Sequence, residues 1–454
     1  MKQELDSAVL PGDFLEDMQA LLGEEYEQFL ASYSDEKKQA LRINTLKSDY
    51  DTVSKEFALS SVAWCKDSYY YDENERPGKS VLHEGGAFYI QEPSASAVVE
   101  NLGVKAGETI LDLCAAPGGK STQIAAKMQG RGVLVANEII PSRAKILSQN
   151  IERLGVKNCI VTCESPQRLA EKYAGAFDRI LVDAPCSGEG MFRKNPLAVS
   201  EWSRDNVKAC KTRQLDILDC AVKLLAKGGR IVYSTCTFSK EENEEIIDAF
   251  LTKYEGFEVL PSQYPFSQGY PIEGGAHNAQ LALTSRIFPH KHGGEGHFFA
   301  VLQKKGEAEK AYYPRYKAKV DKKTLALYRA WERENLNVQF EANALFGQNL
   351  YCVPEGAPDF DRIKVERAGL CLGELKKDRF EPAHALAMAL KRDEVRCATE
   401  LNEEQAARYL EGEGIESKDK GWTVITYKGV SLGWGKGDGN YIKNHYPKGL
   451  RKSI

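Results

Sequence analysis

Between residues 109 and 236, short apolar runs alternate with stretches of helical periodicity. The runs at 109–114, 132–138, 158–163 and 177–183 are mostly apolar, as in strands covered on both faces. Helices are predicted at 120–128, from Pro141 to about 154, near 167–172 and over about 206–225. Pro141 stands at the first helical position that proline favours. Gly228-Gly229 is predicted to break the long helix, with a fifth strand at 230–236. Ser239 is predicted to cap the next helix, with Glu242 placed for a capping box. The run 297–303, after the Gly293-Gly294-Glu295-Gly296 turn, is predicted to finish the sheet as an antiparallel hairpin. The alternation predicts an α/β fold, a parallel sheet with helices on both faces.

The flanks have other patterns, and the expected divisions fall near 75, 305 and 389. Residues 1–75 are predicted to be an acidic, mostly helical flanking domain. The core follows at 76–305, then a linker and mixed α/β region at 306–389. A β-rich module at 390–454 has strand patterning around Trp422, Val424, Ile425 and Tyr427, a Lys428-Gly429 turn and a return strand at 430–434.

Composition narrows the class. Eleven cysteines, an odd number scattered among apolar residues, do not form a disulfide framework and point to a reduced, cytoplasmic protein. No signal peptide and no run near the roughly 20 apolar residues of a membrane span is found, so no membrane association is expected. A net charge of −4 does not announce a nucleic-acid binder, but the charge is uneven. Residues 1–40 carry three lysines against ten carboxylates, whereas 310–333 carry eight basic residues against two acidic, and 436–454 five against one. Such patches suit phosphates; a solvated lysine-rich surface is the competing reading.

Three motifs carry candidate chemistry. Cys114-Ala115-Ala116-Pro117-Gly118-Gly119-Lys120 is a glycine-rich turn between a strand and a helix. It lies where open α/β sheets bind ligands, and the helix N-terminus suits a carboxylate. It lacks the spacing of a Walker loop. Glu138, at the end of the second strand, can accept from both hydroxyls of a ribose. Together these suit a ribose-bearing cofactor without pyrophosphate, such as S-adenosyl-L-methionine; a plain structural turn is the alternative. The other two motifs hold Cys186, in Asp183-Ala184-Pro185-Cys186-Ser187-Gly188, and Cys236, in Tyr233-Ser234-Thr235-Cys236-Thr237. A strand-end cysteine is usually packing, but two on the cofactor edge with Asp183 beside one suit cytosine C5 methylation. A thiolate adding to C6 makes C5 nucleophilic, an acid donates to N3, and a base then removes the C5 proton as the thiol leaves.

CAAPGGK, DAPCSGEG, YSTCTFSKEENE and RIFPHKHGGEGHFFAVL, in that order, resemble the Nop/Sun family of RNA cytosine-5 methyltransferases. The segments LRINTLK at 41–47 and FYIQEPS at 88–94 are similar to its N-terminal flanking motifs. The resemblance covers about residues 10–305. The module with Gly433-Trp434-Gly435-Lys436 is similar to the RNA-binding PUA-like domain of bacterial small-subunit ribosomal RNA methyltransferases. The resemblance implies a Rossmann-like S-adenosylmethionine-dependent core between a helical or α+β extension and a PUA-like RNA-binding module. It further implies that Cys236 attacks C6, Cys186 assists product release, Asp183 holds the cytosine edge, and residues 114–120 with Glu138 hold the cofactor. The implied partner is RNA, 16S rRNA of the small ribosomal subunit, with a monomer and no metal expected. One position departs from the family pattern: Ser165 stands where an adenine-contacting Asp is expected, with Glu164 as the substitute.

Other readings compete. A tRNA cytosine-5 methyltransferase shares the chemistry. A DNA cytosine methyltransferase would use Cys186 and carry an ENV motif, absent here; an amino-methyltransferase would show Pro-Pro-aromatic after the Asp. A silent RNA-binding ribosome-assembly factor would not need the thiols. Arg42, Asn44 and Arg286 are candidate RNA contacts or salt-bridged structural residues, the aromatic runs Tyr69–Tyr71 and Tyr312-Tyr313 are candidate stacking sites with plain packing as the competing reading, and His277, His290, His292 and His297 are a weak candidate metal group.

Overall fold

A computed structural model describes residues 10–453 except Ala308 and Lys319. Lys2 of the acidic segment and Lys319 of the basic run lie outside the described residues.

The core is one twisted sheet, built in chain order from helix α1 (Pro93–Leu102), β1 (Thr109–Asp112), α2 (Gly119–Met128), β2 (Val133–Asn137), α3 (Pro141–Arg153), β3 (Cys159–Thr162), α4 (Pro166–Lys172), β4 (Phe177–Asp183), α5 (Arg204–Leu224), β5 (Leu225–Thr235), α6 (Glu244–Lys253), β6 (Phe257–Leu260), β7 (Ser285–Ile287) and β8 (His297–Lys304). Strands β3, β2, β1, β4 and β5 are adjacent in that order and parallel. β8 pairs antiparallel with β5, and β6 and β7 pair with β8. Every residue of β1, β2 and β3 is buried, which explains their continuous apolar character. The order reverses between β1 and β4, so the cofactor loop after β1 and the first thiol loop after β4 open at the same switch point.

Three details differ from the sequence reading. β5 begins at Leu225, because Gly228-Gly229 lies within an irregular pairing with β4 instead of ending the sheet. Helix α6 begins at Glu244, with Asn243 at its N-cap; Ser239 does not cap it, and Glu242 turns inward. The N-terminal segment has helices Gly12–Leu22 and Tyr26–Ala31, but also an antiparallel sheet of Ser60–Ser61, Ser68–Tyr71, Gln39–Ile43 and Phe88–Ile90. Its Leu41, Ile43 and Phe88 face inward.

The outer parts grip the core. The N-terminal helices pack Phe14 and Phe29 against Phe192, Trp202, Phe238 and Phe288, over the thiol loops. The N-terminal sheet shares an apolar core with Leu401, Tyr409, Ile425 and Tyr427 of the C-terminal module. That module is a five-stranded sheet with the expected hairpin, Lys420–Tyr427 and Val430–Asp438. From the region between, strand β9 (Val365–Ala368) joins the catalytic sheet antiparallel to β3.

The candidate RNA contacts Arg42, Asn44 and Arg286 are all buried. Arg42 donates to Gln91 Oε1 at 2.9 Å, the Gly119 carbonyl at 3.0 Å and Thr122 Oγ1 at 2.8 Å, and so ties the N-terminal sheet to the cofactor loop. Burial lowers its guanidinium to about 10. Asn44 donates to the carbonyls of Gly86 and Leu154. Arg286 pairs with Glu244 at 2.5 Å. Of the two tyrosines, Tyr313 is buried and Tyr312 is 94% exposed.

Candidate active site

Gly118 opens α2 at φ 116°, a backbone that glycine adopts freely. A Cβ there would also sit 3.1 Å from Leu147. The turn leaves the first N–H groups of α2 without intrahelical acceptors. Cys114, Ala115, Ala116 and Pro117 form the floor of the turn; the Ala116 carbonyl accepts from Arg143 Nη2 at 2.9 Å, and that of Pro117 from Asn150 at 2.9 Å. Beneath it Asp112 is fully buried and accepts from Ser121 Oγ at 2.6 Å. Among the described residues its second oxygen has no hydrogen-bond partner. Burial pushes its carboxyl up to about 7. Burial also pushes the Cys114 thiol well up, so it stays protonated.

Glu138 follows β2. Its Oε1 accepts the Ile140 N–H at 3.0 Å, and Oε2 lies 3.4 Å from Arg143 Nη1. Glu164 Oε1 accepts the Lys364 N–H at 2.8 Å. The Ser165 hydroxyl is the N-cap of α4, accepting the Arg168 N–H at 3.3 Å. Ser165 therefore has a structural task of its own.

The other side of the site lies on β4 and β5. Asp183 and Ser234 are register partners, and Ser234 Oγ donates to Asp183 Oδ1 at 2.8 Å. Lys120 Nζ, from the cofactor loop, donates to Oδ2 at 2.8 Å. Burial opposes ionisation of Asp183, but the Lys120 ammonium outweighs it and holds the carboxyl below its ordinary range. Asp183 is therefore an acceptor, and Lys120 is the proton-bearing group beside it. Lys120 was expected in the cofactor loop; its reach across to Asp183 joins the two halves of the site.

The sulfurs of Cys186 and Cys236 lie 3.4 Å apart, both free and partly exposed. The hydrogen bond between them, then burial, pushes the Cys186 thiol well above its usual range. On the far side His297 Nδ1 meets Ser94 Oγ at 2.8 Å, and burial lowers its imidazole to about 4. Glu92 caps α1 through the Ala95 N–H and accepts the Glu295 N–H at 2.8 Å. Glu92 and Ser234 were not singled out as site residues, and His297 only as one of four candidate metal ligands, although all three stand inside the quoted motifs. Among the described residues no three His, Cys, Asp or Glu side chains converge on a metal site, and no helix is long and apolar enough to cross a membrane.

A glycine turn at the switch point, a buried carboxylate with an open oxygen beneath it and an acidic strand end beside it suit S-adenosylmethionine, so fold and site define a methyltransferase of that cofactor class. Comparison with known proteins agrees. Residues 99–303 match the model of the 16S rRNA methyltransferases RsmB/F, 10–93 the N-terminal domain of RsmF, 330–390 its first C-terminal domain and 397–452 its PUA domain. The chain is 32% identical to ribosomal RNA small subunit methyltransferase F of Vibrio vulnificus, over 97% of each chain. It is 33% identical to that of Serratia proteamaculans, over 97% of this chain and 96% of that one. A solved methyltransferase homolog from Pyrococcus horikoshii is similar to 66% of this chain and 100% of its own, with 28% identity and a TM-score of 0.59. The chain belongs to the RsmB/F family of rRNA methyltransferases, with the flanking domains of RsmF.

Proposed function

We propose that the protein methylates C5 of a cytosine in 16S rRNA of the small ribosomal subunit, in the bacterial cytoplasm, through a covalent bond between Cys236 and C6. The observation that carries this reading is the pair of free thiols 3.4 Å apart, beside an ion-paired Asp183 at the carboxyl ends of β4 and β5.

When bound, S-adenosylmethionine supplies an electrophilic methyl group for C5. Residues 114–120 and Glu138 hold it, with Asp183 at the boundary between cofactor and base. Asp183, kept ionised by Lys120 and oriented by Ser234, accepts from the cytosine amino group. Lys120, and not Asp183, places positive charge where negative charge develops on the ring as sulfur adds. The Cys236 thiolate forms the C6–S bond. After methylation the C5 proton leaves to a base, the C5–C6 double bond reforms and the Cys236 thiolate is expelled. Cys186, in contact with the Cys236 sulfur, assists this collapse.

The test is incubation of 16S rRNA and small subunits with methyl-labelled donor, followed by bisulfite sequencing. Label at a cytosine that resists bisulfite conversion is expected. Label that maps to any other atom or base excludes the reading.

A further inference from the structure

The motifs that carry the thiols also carry two glutamates that the reaction does not use. Glu189 stands three residues after Cys186, and Glu242 six after Cys236. Each crosses to the opposite loop. Glu242 Oε2 accepts the backbone N–H of Ser187, next to Cys186, at 3.0 Å, and Gln214 Nε2 at 2.7 Å. Glu189 Oε2 accepts the backbone N–H of Phe238, two residues past Cys236, at 2.9 Å, while Trp202 Nε1 donates to Oε1 at 2.9 Å. Between them the Gly190 N–H donates to the Cys236 carbonyl at 2.8 Å, and the hydroxyls of Ser187 and Thr237 meet at 2.9 Å. The approach needs glycine: a Cβ at Gly190 would lie 3.0 Å from the Cys236 carbonyl oxygen and 2.8 Å from that of Gly296.

Both glutamates are buried, and among the described residues neither forms an ion pair. Burial pushes Glu242 up to about 7 and raises Glu189. Buried carboxyls without an ion-pair partner cost stability that apolar side chains would not. What these two supply is position.

We propose that Glu189 and Glu242 are positioning residues forming a reciprocal clasp, each rooted in one thiol loop and closed on the backbone of the other, that holds the Cys186 and Cys236 sulfurs in contact. Their relevance to turnover rests on the thiol roles proposed above; the clasp itself does not. Displacements of about 1 Å at a reacting group cost ~10²-fold in rate, so the clasp acts on kcat through the two sulfurs.

Phenylarsine oxide reports the sulfur separation without RNA or methyl donor. Two As–S bonds replace the arsenic–oxygen bond, and the oxygen leaves as water with the two thiol protons. The relevant signal is the capture by reduced protein that Cys186→Ala and Cys236→Ala each remove. Glu189→Ala and Glu242→Ala should weaken it at least tenfold, with Glu→Gln, which keeps an acceptor oxygen, falling between. Alanine variants that stay folded and capture the arsenical within twofold of wild type overturn the clasp. If they do not fold, Glu189→Gln and Glu242→Gln decide. Arsenical capture at least threefold weaker than wild type in these variants supports the clasp, and capture equal to wild type overturns it; a kcat at least threefold lower, with RNA KM and cofactor Kd unchanged, supports its action on turnover. Should the methyl acceptor prove not to be cytosine C5, the arsenical result is unaffected, so the two claims fail separately.

Discussion

Two carboxylates that face the cofactor edge, Glu138 and Asp183, and two in the thiol loops, Glu189 and Glu242, are held in opposite ways. At the cofactor edge, Glu138 lies against Arg143 and Asp183 against Lys120, so charge meets charge. In the thiol loops, Glu189 and Glu242 are buried, form no ion pair among the described residues, and accept backbone N–H groups instead. In the first arrangement the Lys120 ammonium holds the Asp183 carboxyl below its ordinary range. The second spends them on the separation of two loops. On the proposed reading, residues of one chemical type, within one site, serve recognition on one side and geometry on the other.

The sharpest division comes from the sulfurs. Cys236→Ala should abolish methyl transfer, by ~10³-fold or more, and leave cofactor affinity unchanged. Retained turnover with labelled donor would show that the thiol side is not where the bond forms. Cys186→Ala should still form the C6–S bond and accept the methyl group but stall in elimination. It should accumulate as a protein–RNA complex that survives a denaturing gel, whereas Cys236→Ala and the double variant should give no band. A trapped band from Cys236→Ala instead would reverse the two roles.

The cofactor edge is tested by Glu138→Ala, which should weaken S-adenosylmethionine binding by about 1.5–3 kcal/mol, the worth of hydrogen bonds to a charged group. An unchanged Kd by calorimetry removes Glu138 from the cofactor site. The smallest effect separates paired from unpaired carboxyls by pH. The carboxyl of Glu242 is raised from 4.5 to about 7 on folding, so the stability of its protonated form is fully present below pH 4.5 and is lost as pH rises through 7. Glu242→Gln lacks this loss. Denaturant titrations should show the variant gaining on wild type by on the order of 2 kcal/mol between pH 4.5 and 7.5. A pH-independent difference would mean that Glu242 is not held protonated by burial.

The parallel strands were legible because β1, β2 and β3 are buried on both faces and lack polar alternation. Gly228-Gly229 misled because glycine marks both a chain break and an irregular pairing, and only the register with β4 distinguishes them. Ser239 and Glu242 have capping-box spacing, yet burial draws Glu242 to Ser187, 55 residues away in sequence. The thiol motifs were legible singly; their contact was not, since it depends on where α5 returns the chain to β5 beside β4. Asp183 was legible as a site carboxylate, but its protonation state depends on Lys120, 63 residues earlier.

Strand β9 has a bearing on how the protein comes into being. The catalytic sheet is complete on its β8 side at Lys304, but on the opposite edge the strand that pairs with β3 is Val365–Ala368, from later in the chain. During synthesis the nascent chain therefore holds a finished-looking catalytic half with one open row of backbone donors and acceptors, the kind of edge that recruits other chains. A fragment ending near residue 305 would carry both thiols and the whole cofactor loop, and would still be the aggregation-prone form of this enzyme.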